Sequence, residues 1–586
     1  MHAAPYFAEI FVEIMSHTHT IVPTPGATPF QASPELPRRL RVGVLIRNGV
    51  PLGWVHELLQ QIKSCGFAQP ILILDTGNHA ERRFRRGWKH ILFPLWRRWD
   101  YKLFKDKAAA APAISESAKP IRDIPIIEIS SASAGSSLSA ALTKTDLEKI
   151  LAENLDVLLD CAHGGTVAAF RHAAKHGVWF FCDNAEIDVK GIPCMPAAFR
   201  PMFEDTPATE TSLLACRSLG GAFELLHSSY AATDPVSLVR SQNAINLRRP
   251  HWIMRSLSAL HRSGGNWQAV SQGQISPSAP PGNAPGNFQM SGFLARRYTR
   301  ALWTKARNKL AYEQWVVGVR KRNDAEISFN LNGFVPFIPP AGRFYADPFV
   351  VEKDGRNYLF FEELPLAGNK GIISCAEMDA HGHCGPPMPV LEMDYHLSYP
   401  FVFEWRGQMY MLPETRDSGQ ISLFRALEFP GSWKLEKVLM ENIWAVDPTL
   451  FEFAGKFWLF AGGVEKRGDI NSELYLFFAE TPFGPWRPHP LNPVVSDVRR
   501  ARPAGKLFFH QTALIRPAQD CSPRYGSAIV FNRIVALSET EYREEPLQKL
   551  QGDWLPGNLG SHTFNSSRHF QVVDGRQLVR RPIFKK

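Results

Sequence analysis

A repeated strand pattern in the C-terminal half of this chain constrains its fold more than any other feature. In each clear repeat a proline precedes a turn glycine by seven residues, as Pro348 precedes Gly355, and an aromatic-rich strand follows. Two further segments, ARPAGKLFFHQTALIRP and SHTFN, continue the frame at intervals of about 50 residues. Such periods are typical of propeller blades, so we predict an all-β five-bladed propeller over residues 331–586. The clear repeats are ADPFVVEKDGRNYLFFEE (346–363), YPFVFEWRGQMYMLPET (399–415) and VDPTLFEFAGKFWLFAG (446–462).

Residues at matching positions of the first strands are expected to face one another, because these strands line the central channel of a propeller. A further carboxylate, Glu414, ends the returning strand of the second blade. Glycoside cleavage uses facing carboxylates, one protonated to donate to the leaving oxygen and one ionised to activate water. We therefore take Asp347, Asp447 and Glu414 as candidate catalytic residues. The matching first-strand positions hold Asp347, Tyr399, Asp447, Arg502 and His562.

The Asp-Pro starts, the Asp354–Gly355 turn and the segment TPFGPW (481–486) resemble the propellers of glycoside hydrolase family 43. The resemblance implies that Asp347 stands where that family keeps its general base, and Asp447 where an aspartate tunes the acid. The family places its general acid, a glutamate, in the fourth blade within a Glu-Gly-Pro motif. Here that position reads Ala-Arg-Pro, with Arg502 in place of the acid.

An arginine at this position changes the expected chemistry. Its guanidinium does not donate a proton at neutral pH, but it holds nearby carboxylates ionised and binds phosphate or carboxylate groups of ligands. We therefore expect the pocket to bind an anionic sugar, sugar nucleotide or glycolipid rather than to cleave a glycoside, and we expect no metal. The alternative is that Asp347 and Asp447 only cap strand ends. The residues expected to bind the ligand are Arg502, Tyr399, Arg516, Gln519, Asp520, Arg524 and His562.

The C-terminal domain as a whole is similar to the N-terminal domain of the glucosamine inositolphosphorylceramide transferase family of plants and its bacterial relatives. This resemblance implies a role in bacterial polysaccharide or glycolipid synthesis. The glycosyltransferase domain of that family is not visible in this sequence, so glycosyl transfer itself is not implied. Two classes of function stay open: a carbohydrate-active transferase or sugar-binding protein, and a non-catalytic scaffold. An active glycoside hydrolase is the third.

The N-terminal half alternates strand and helix patterns, beginning with LRVGVLI, a helical stretch and PILILD. This pattern predicts a parallel α/β domain over residues 39–262. With its opening strand and helix and with residues 174–214, the domain resembles the formyltransferase fold over residues 40–262, which implies a folate-type formyl donor. The histidine of that family is absent here, which argues against formyl transfer. Asp183 and Asn184 remain as candidate ligand-binding residues.

A basic and aromatic segment, residues 82–107, interrupts the α/β pattern. Three interpretations are open: contact with an anionic membrane surface, contact with nucleic acid, or packing on its own domain. The net charge of +10 fits an anionic partner, although no specific nucleic-acid motif accompanies it. Eight scattered cysteines without a CxxC pair favour a reduced, cytoplasmic protein, with peripheral contact at the inner membrane as an alternative.

Two segments are expected to lie outside the folded domains. Residues 1–38 are rich in proline, which predicts a disordered extension. Residues 263–330 combine a Gly/Pro/Ser-rich linker with a helical stretch at 293–320, which predicts a connector between the two domains.

Overall fold

The computed structural model describes most of the chain, in segments separated by gaps. The expected extension, residues 1–38, falls outside these segments except for Arg38, as do residues 266–284 of the expected linker. Within the described segments, no helix is long and apolar enough to cross a bilayer. The described residues are 38–46, 53–75, 90–104, 123–129, 144–161, 170–183, 198–217, 223–265, 285–322, 327–368, 370–465, 469–550 and 554–581.

The N-terminal domain is an α/β structure built on one seven-stranded sheet. Its strands are β1 (Leu40–Ile46), β2 (Ala68–Asp75), β3 (Ile126–Glu128), β4 (Val157–Asp160), β5 (Val178–Asp183), β6 (Ala208–Cys216) and β7 (Glu224–Ala232). The helices of this half are α1 (Gly53–Ser64), α2 (Leu92–Phe104), α3 (Lys144–Ala152), α4 (Phe199–Phe203), α5 (Leu238–Arg262) and α6 (Asn287–Leu310).

The sheet has the strand order β3-β2-β1-β4-β5-β6-β7. The first five strands pair in parallel, as the strand-helix alternation predicts. Strands β6 and β7 extend the sheet in antiparallel fashion, so the sheet is mixed rather than wholly parallel. The expectation of a parallel sheet therefore holds for five of the seven strands. The sequence pattern does not indicate the antiparallel hairpin of β6 and β7.

The core of this domain forms around β1, which is apolar except for Arg41 and is buried between its neighbours. Parallel strands covered on both faces carry such continuous apolar runs. Helix α1 covers one face with side chains spaced one helical turn apart, including Val55, Leu58 and Ile62. Helix α5 packs across the same cluster with Ile253 and Leu257.

The C-terminal domain is a five-bladed propeller, as predicted. Two strands precede the first blade, β8 (Ala311–Lys321) and β9 (Val335–Phe337). Blade I holds β10 (Arg343–Lys353), β11 (Arg356–Pro365), β12 (Ile372–Met378) and β13 (Met388–Leu391). Blade II holds β14 (Ser398–Trp405), β15 (Gln408–Glu414), β16 (Gln420–Glu428) and β17 (Ser432–Glu441). Blade III holds β18 (Val446–Phe453), β19 (Lys456–Gly462), β20 (Glu473–Ala479), β21 (Arg487–Pro488) and β22 (Val495–Ser496). Blade IV holds β23 (Phe508–His510), β24 (Ala513–Asp520), β25 (Ala528–Leu537) and β26 (Tyr542–Leu550).

Blade V closes the propeller with strands from both ends of the domain. It joins β27 (Phe564–Ser566) and β28 (Phe570–Arg580) to β8 and β9. Strand β8 pairs with β28 along its full length, from Ala311 with Arg580 to Lys321 with Phe570. The expected domain start at 331 is therefore too late, and the expected helix at 293–320 is confirmed only as far as Leu310. The helix ends at Leu310, and the residues that follow form β8 of blade V.

The two domains share a polar interface between helix α5 and blade III. The Arg255 guanidinium pairs with the Glu473 carboxylate at 2.8 Å (Nη1 to Oε1), and the two side chains are 10% and 5% exposed. Arg248 pairs with Asp469 at 3.4 Å in the loop before β20. Beside these pairs, β7 meets the propeller where the Val498 N–H donates to the Tyr230 carbonyl at 3.0 Å.

Substituting Gly318 by alanine is expected to destabilise the closure of blade V. A Cβ at Gly318 would lie 2.7 Å from the Trp554 ring, which is itself held against Gly575 on the paired strand. We expect a loss of about 1–3 kcal/mol in the free energy of unfolding, measured by chemical denaturation. Gly368→Ala is the matched control, because its Cβ would meet nothing within 4 Å and its stability should be unchanged. If Gly318→Ala and Gly368→Ala are equally stable, the close packing of Trp554 against Gly318 is contradicted.

Replacing Arg255 by methionine is expected to lower the free energy of unfolding by about 3–5 kcal/mol, because the buried Glu473 charge loses its partner. Adding Glu473→Gln should restore much of this loss, which a double-mutant cycle in urea would measure. The control is Arg533→Met, which breaks an exposed pair with Glu545 and should change stability by less than about 1 kcal/mol. If the variant with both Arg255→Met and Glu473→Gln is as unstable as Arg255→Met alone, the loss does not come from the unpaired Glu473 charge.

Candidate functional site

The first strands of blades I to III share one backbone irregularity at the propeller axis. Asp347, Tyr399 and Asp447 have φ values of 50°, 47° and 50°, in the left-handed region. Each lies in a bulge, where the register between the first and second strands shifts. Bulges of this kind interrupt the ladder and redirect a side chain. The proline that follows each residue has no N–H to leave unpaired, which explains the repeated proline of the sequence pattern.

Carboxylates from adjoining blades accept the backbone N–H groups that these bulges leave unpaired. The Asp347 N–H donates to Asp574 Oδ2 at 3.2 Å, and the Tyr399 N–H donates to Asp347 Oδ2 at 3.3 Å. The Asp447 N–H donates to Glu414 Oε2 at 3.1 Å. Blades I, II and III are thus each linked to the preceding blade through one carboxylate.

Arg502 is bound within the cluster rather than open to solvent. Its Nε and Nη2 atoms lie 2.6 and 3.2 Å from the two carboxylate oxygens of Asp447, and Nη1 lies 3.2 Å from Asn471 Oδ1. Gln519 Nε2 also donates to Asp447, at 3.0 Å, and the Tyr525 ring lies 4.8 Å from the guanidinium carbon. The arginine and Asp447 therefore form a two-point ion pair between blades III and IV.

His562 occupies the other side of the cluster. Its Nδ1 is hydrogen-bonded to Asp574, its Nε2 lies 3.8 Å from Asp347 Oδ1, and its ring stacks on Trp315 with centroids 4.0 Å apart. Thr563 donates its hydroxyl to Asp347 Oδ1 at 2.6 Å. Asp347 thus receives hydrogen bonds on both oxygens, and its side chain is 5% exposed.

Burial shifts the titration of the acidic groups. It raises the pKa of Asp347 to about 7, with His562 opposing the rise and Asp447 adding to it. It raises the pKa of Glu414 to about 8, with Asp447 adding to the rise and Arg502 opposing it. Burial alone would lower the pKa of His562, but the carboxylates of Asp574 and Asp347 outweigh it and raise that pKa. Glu414 therefore retains its proton near neutral pH.

One group in the described part of the chain has the composition of a cation site. The ligand atoms of Asp347, His562 and Asp574 lie within 4.8 Å of one another. Two carboxylates and an imidazole suit a divalent transition metal. A cation there would have to displace the proton that His562 shares with Asp574, since both are already hydrogen-bonded to each other.

The cluster unites Asp347, Glu414, Asp447, Arg502, Gln519 and His562 from the residues that the sequence predicts. Tyr399 contributes its backbone N–H, but its hydroxyl contacts Thr449 and the Gly505 N–H in the core. Asp183 ends strand β5 in the other domain, and Asn184 lies outside the described residues.

Three residues expected to bind the ligand lie elsewhere. Arg516 pairs with Glu544 inside blade IV at 2.7 Å, and Asp520 pairs with Lys549 at 2.6 Å. Arg524 pairs with Glu313 at 3.0 Å. Side chains alternate across strand β24, so that Gln519 and its neighbour Asp520 point to different sides. Proximity to Arg502 in the sequence therefore does not predict which side chains join the cluster.

Sequence reasoning missed Asp574, Thr563 and Asn471. Asp574 lies in the second strand of blade V, on the strand that corresponds to the one ended by Glu414 in blade II. Extending the fifth repeat beyond SHTFN to VVDGRQ would have identified it. Asn471 belongs to the loop before β20, for which the repeat gives no signal.

The sequence of the propeller matches one described family. Residues 338–580 match the family "Glucosamine inositolphosphorylceramide transferase 1, N-terminal". This match covers less than half of the chain. The protein of that name from Arabidopsis thaliana is 34% identical over 263 residues, which is 42% of this chain and 34% of that protein. The one from Oryza sativa subsp. japonica is 36% identical over 240 residues, 40% of this chain and 32% of that protein. The chain thus spans about a third of the length of these curated relatives.

Solved structures with partial overlap include glycoside hydrolases. A family 117 enzyme of Zobellia galactanivorans is 13% identical with a TM-score of 0.30, covering 47% of this chain and 94% of that one. A family 43 enzyme of Xanthomonas citri is 12% identical with a TM-score of 0.32, covering 44% of this chain and 90% of that one. Overlaps this weak decide nothing about function.

Glu414→Gln is expected to flatten the pH dependence of stability. The folded pKa of about 8 exceeds the unfolded value of about 4.3, so the folded state binds one more proton between these limits. The contribution of Glu414 to stability is thus fully present below about pH 4 and is lost as pH rises through about 8. Urea unfolding at pH 5 and pH 8.5 measures how much the free energy of unfolding falls between these two pH values. This fall should be at least about 1–2 kcal/mol larger in the wild type than in the variant. Glu404→Gln, on the exposed rim of the same blade, should behave as wild type.

Proposed function

We propose that the propeller binds an anionic sugar or glycolipid headgroup at its axis and does not hydrolyse glycosides. The observation that carries this proposal is the Arg502–Asp447 ion pair. At this point a propeller glycosidase of the resembling type would need a protonated carboxylic acid, whereas a guanidinium keeps its proton at any working pH. The retained Asp347 and Asp447 then serve to orient a ligand.

The proposal extends to a role in glycoconjugate synthesis. It is supported by similarity to plant proteins named glucosamine inositolphosphorylceramide transferase 1 and by the family match over residues 338–580. Because these relatives are plant proteins, a bacterial role stays a prediction from the sequence. A ligand with phosphate beside a sugar or inositol ring would suit a site with both a guanidinium and hydroxyl-binding carboxylates. The whole activity of those relatives is not implied, since the matched region is about a third of their length.

The N-terminal domain enters the proposal as a formyltransferase-like scaffold. The parallel pairing of β1 with both β2 and β4 supports a formyltransferase-like fold for this domain. Strand β5 reads VWFFCD and contains no histidine, so a folate-type formyl donor is not part of the proposed activity. The domain instead holds the propeller through helix α5 and the Arg255–Glu473 pair.

A non-catalytic scaffold is the second candidate, and two observations favour it. Asp347 and Glu414 each accept a backbone N–H of a neighbouring blade, which is a structural use of a carboxylate. All of the charged groups of the cluster are buried, including Asp447 and Arg502. On this interpretation the cluster holds the blades together and binds no ligand.

A thermal-shift titration separates these candidates. UDP-N-acetylglucosamine, glucose 1-phosphate and myo-inositol 1-phosphate serve as probes, with uncharged N-acetylglucosamine as comparison. A probe at 100 times its Kd is expected to stabilise the folded state by about 2.7 kcal/mol, seen as a saturable rise in Tm. Arg502→Lys should weaken the shift because it loses the two-point geometry, while Arg524→Lys, outside the cluster, should not. If none of the probes raises the Tm, ligand binding at the axis is contradicted and the scaffold function is favoured.

Hydrolysis is tested separately with chromogenic glycosides. Release of 4-nitrophenol from 4-nitrophenyl α-L-arabinofuranoside and β-D-xyloside by the wild type is expected to equal that by Asp347→Asn. A rate for the wild type at least about tenfold above that variant would contradict the proposal, since it would show that Asp347 acts as a base.

A further inference from the structure

Helix α2 exposes a face on which apolar and cationic side chains alternate. Its inward side holds Phe93 and Trp96, which are buried, and Asp100, which accepts hydrogen bonds from Ser237 (3.1 Å) and from the Val239 N–H (3.0 Å). The acidic group of this helix is therefore turned away from solvent. The opposite face, at spacings of three and four residues, holds Leu95, Arg98, Trp99 and Lys102.

Helix α6 is 24 residues long, yet only Met290 and Phe293 of its side chains are buried. Large apolar groups project into solvent instead: Phe288 is 92% exposed, Leu302 67% and Trp303 73%. The sequence of the helix contains no acidic residue. By helical geometry the apolar face is flanked by cations on both sides, namely Arg296, Arg300, Lys305 and Lys309.

The two helices are neighbours in the structure. The rings of Trp96 and Phe293 meet edge to face with centroids 5.5 Å apart, and the Arg297 guanidinium carbon lies 5.9 Å from the Trp96 ring. Each helix uses a few aromatic residues to dock on its own domain and leaves others in solvent, among them Trp99 at 64% exposure. The two helices are therefore neighbours, and each presents aromatic groups to solvent.

The charges of this region determine which partner it fits. A second copy of the chain would bring cations against cations, which disfavours association. The adjoining segment 82–89 of the chain, RRFRRGWK, carries the same charge and offers no complement. Tryptophan and tyrosine side chains favour the headgroup level of a bilayer, and each cation near anionic lipid contributes about 1 kcal/mol.

We infer that α2 and α6 together form a docking surface for the anionic face of a lipid bilayer. The helices lie in the interface, with their aromatic side chains among the headgroups and their cations on lipid phosphates. This surface includes the described part of the expected membrane segment 82–107, residues 90–104, and adds α6, which the sequence pattern did not suggest. It is distinct from the propeller axis and does not rest on the function proposed there.

Sedimentation of the full chain with vesicles tests this inference. Vesicles of phosphatidylcholine with about a third phosphatidylglycerol are expected to bind the protein at least about tenfold more strongly than pure phosphatidylcholine. Binding should weaken as salt rises from about 0.1 to 0.5 M. Replacing Trp99, Leu302 and Trp303 together by serine should lower the partition coefficient about tenfold or more.

A second variant tests the charges alone. Reversing Arg98, Lys102, Lys305 and Lys309 to glutamate should abolish the preference for anionic vesicles. The matched control replaces three exposed apolar residues of the propeller by serine, and it should bind as wild type: Leu435, Phe509 and Leu547.

Three outcomes would overturn the inference. The first is equal binding to neutral and anionic vesicles by the wild type. The second is unchanged binding by both the serine variant and the charge-reversed variant. The third is a lipid-free dimer, seen by analytical ultracentrifugation, that the serine variant converts to a monomer, since this surface would then join two copies of the chain.

Discussion

The pairing of bulge N–H groups with carboxylates of adjoining blades is the interaction on which the propeller axis depends. The left-handed bulges at Asp347, Tyr399 and Asp447 take backbone N–H groups out of the strand ladder and leave them buried. A buried N–H without an acceptor is costly, so the fold supplies acceptors from neighbouring blades. Because these acceptors are carboxylates, the axis collects negative charge. Arg502 and His562 then provide positive charges beside these carboxylates. The negative charge is reduced further because the pKa values of Asp347 and Glu414 are raised, which favours their protonated forms.

This constraint explains why structure and chemistry are difficult to separate at the axis. Asp347 and Asp447 are the residues that the sequence puts forward as catalytic, yet each is engaged by a neighbouring blade. Arg502 satisfies Asp447 through two contacts, and its guanidinium does not donate a proton at neutral pH. The same ion pair stabilises the join between blades III and IV.

The α/β domain reaches the axis through a short series of contacts. Arg248 of helix α5 pairs with Asp469, whose carboxylate accepts the Asn471 N–H at 2.9 Å. Asn471 in turn accepts a hydrogen bond from Arg502. Tyr525 adds an apolar link, since it packs on the guanidinium and on the interface cluster that contains Ala208. The loop that positions Arg502 is thus held by the other domain, while helices α2 and α6 of that half present aromatic and cationic side chains to solvent.

The sequence by itself determined the five-bladed architecture, the parallel part of the N-terminal sheet and most of the axial residues. Strand periodicity and the spacing of proline and glycine are local, and a repeat places equivalent residues on one axis. Three features were decided only by tertiary structure. Strand β8 joins blade V because closure needs a partner for β28, about 260 residues away in the chain. Arg516 and Arg524 leave the site because strand alternation and nearby acids direct their side chains elsewhere. The binding of Arg502 by Asp447 depends on the meeting of two blades, which no local pattern encodes.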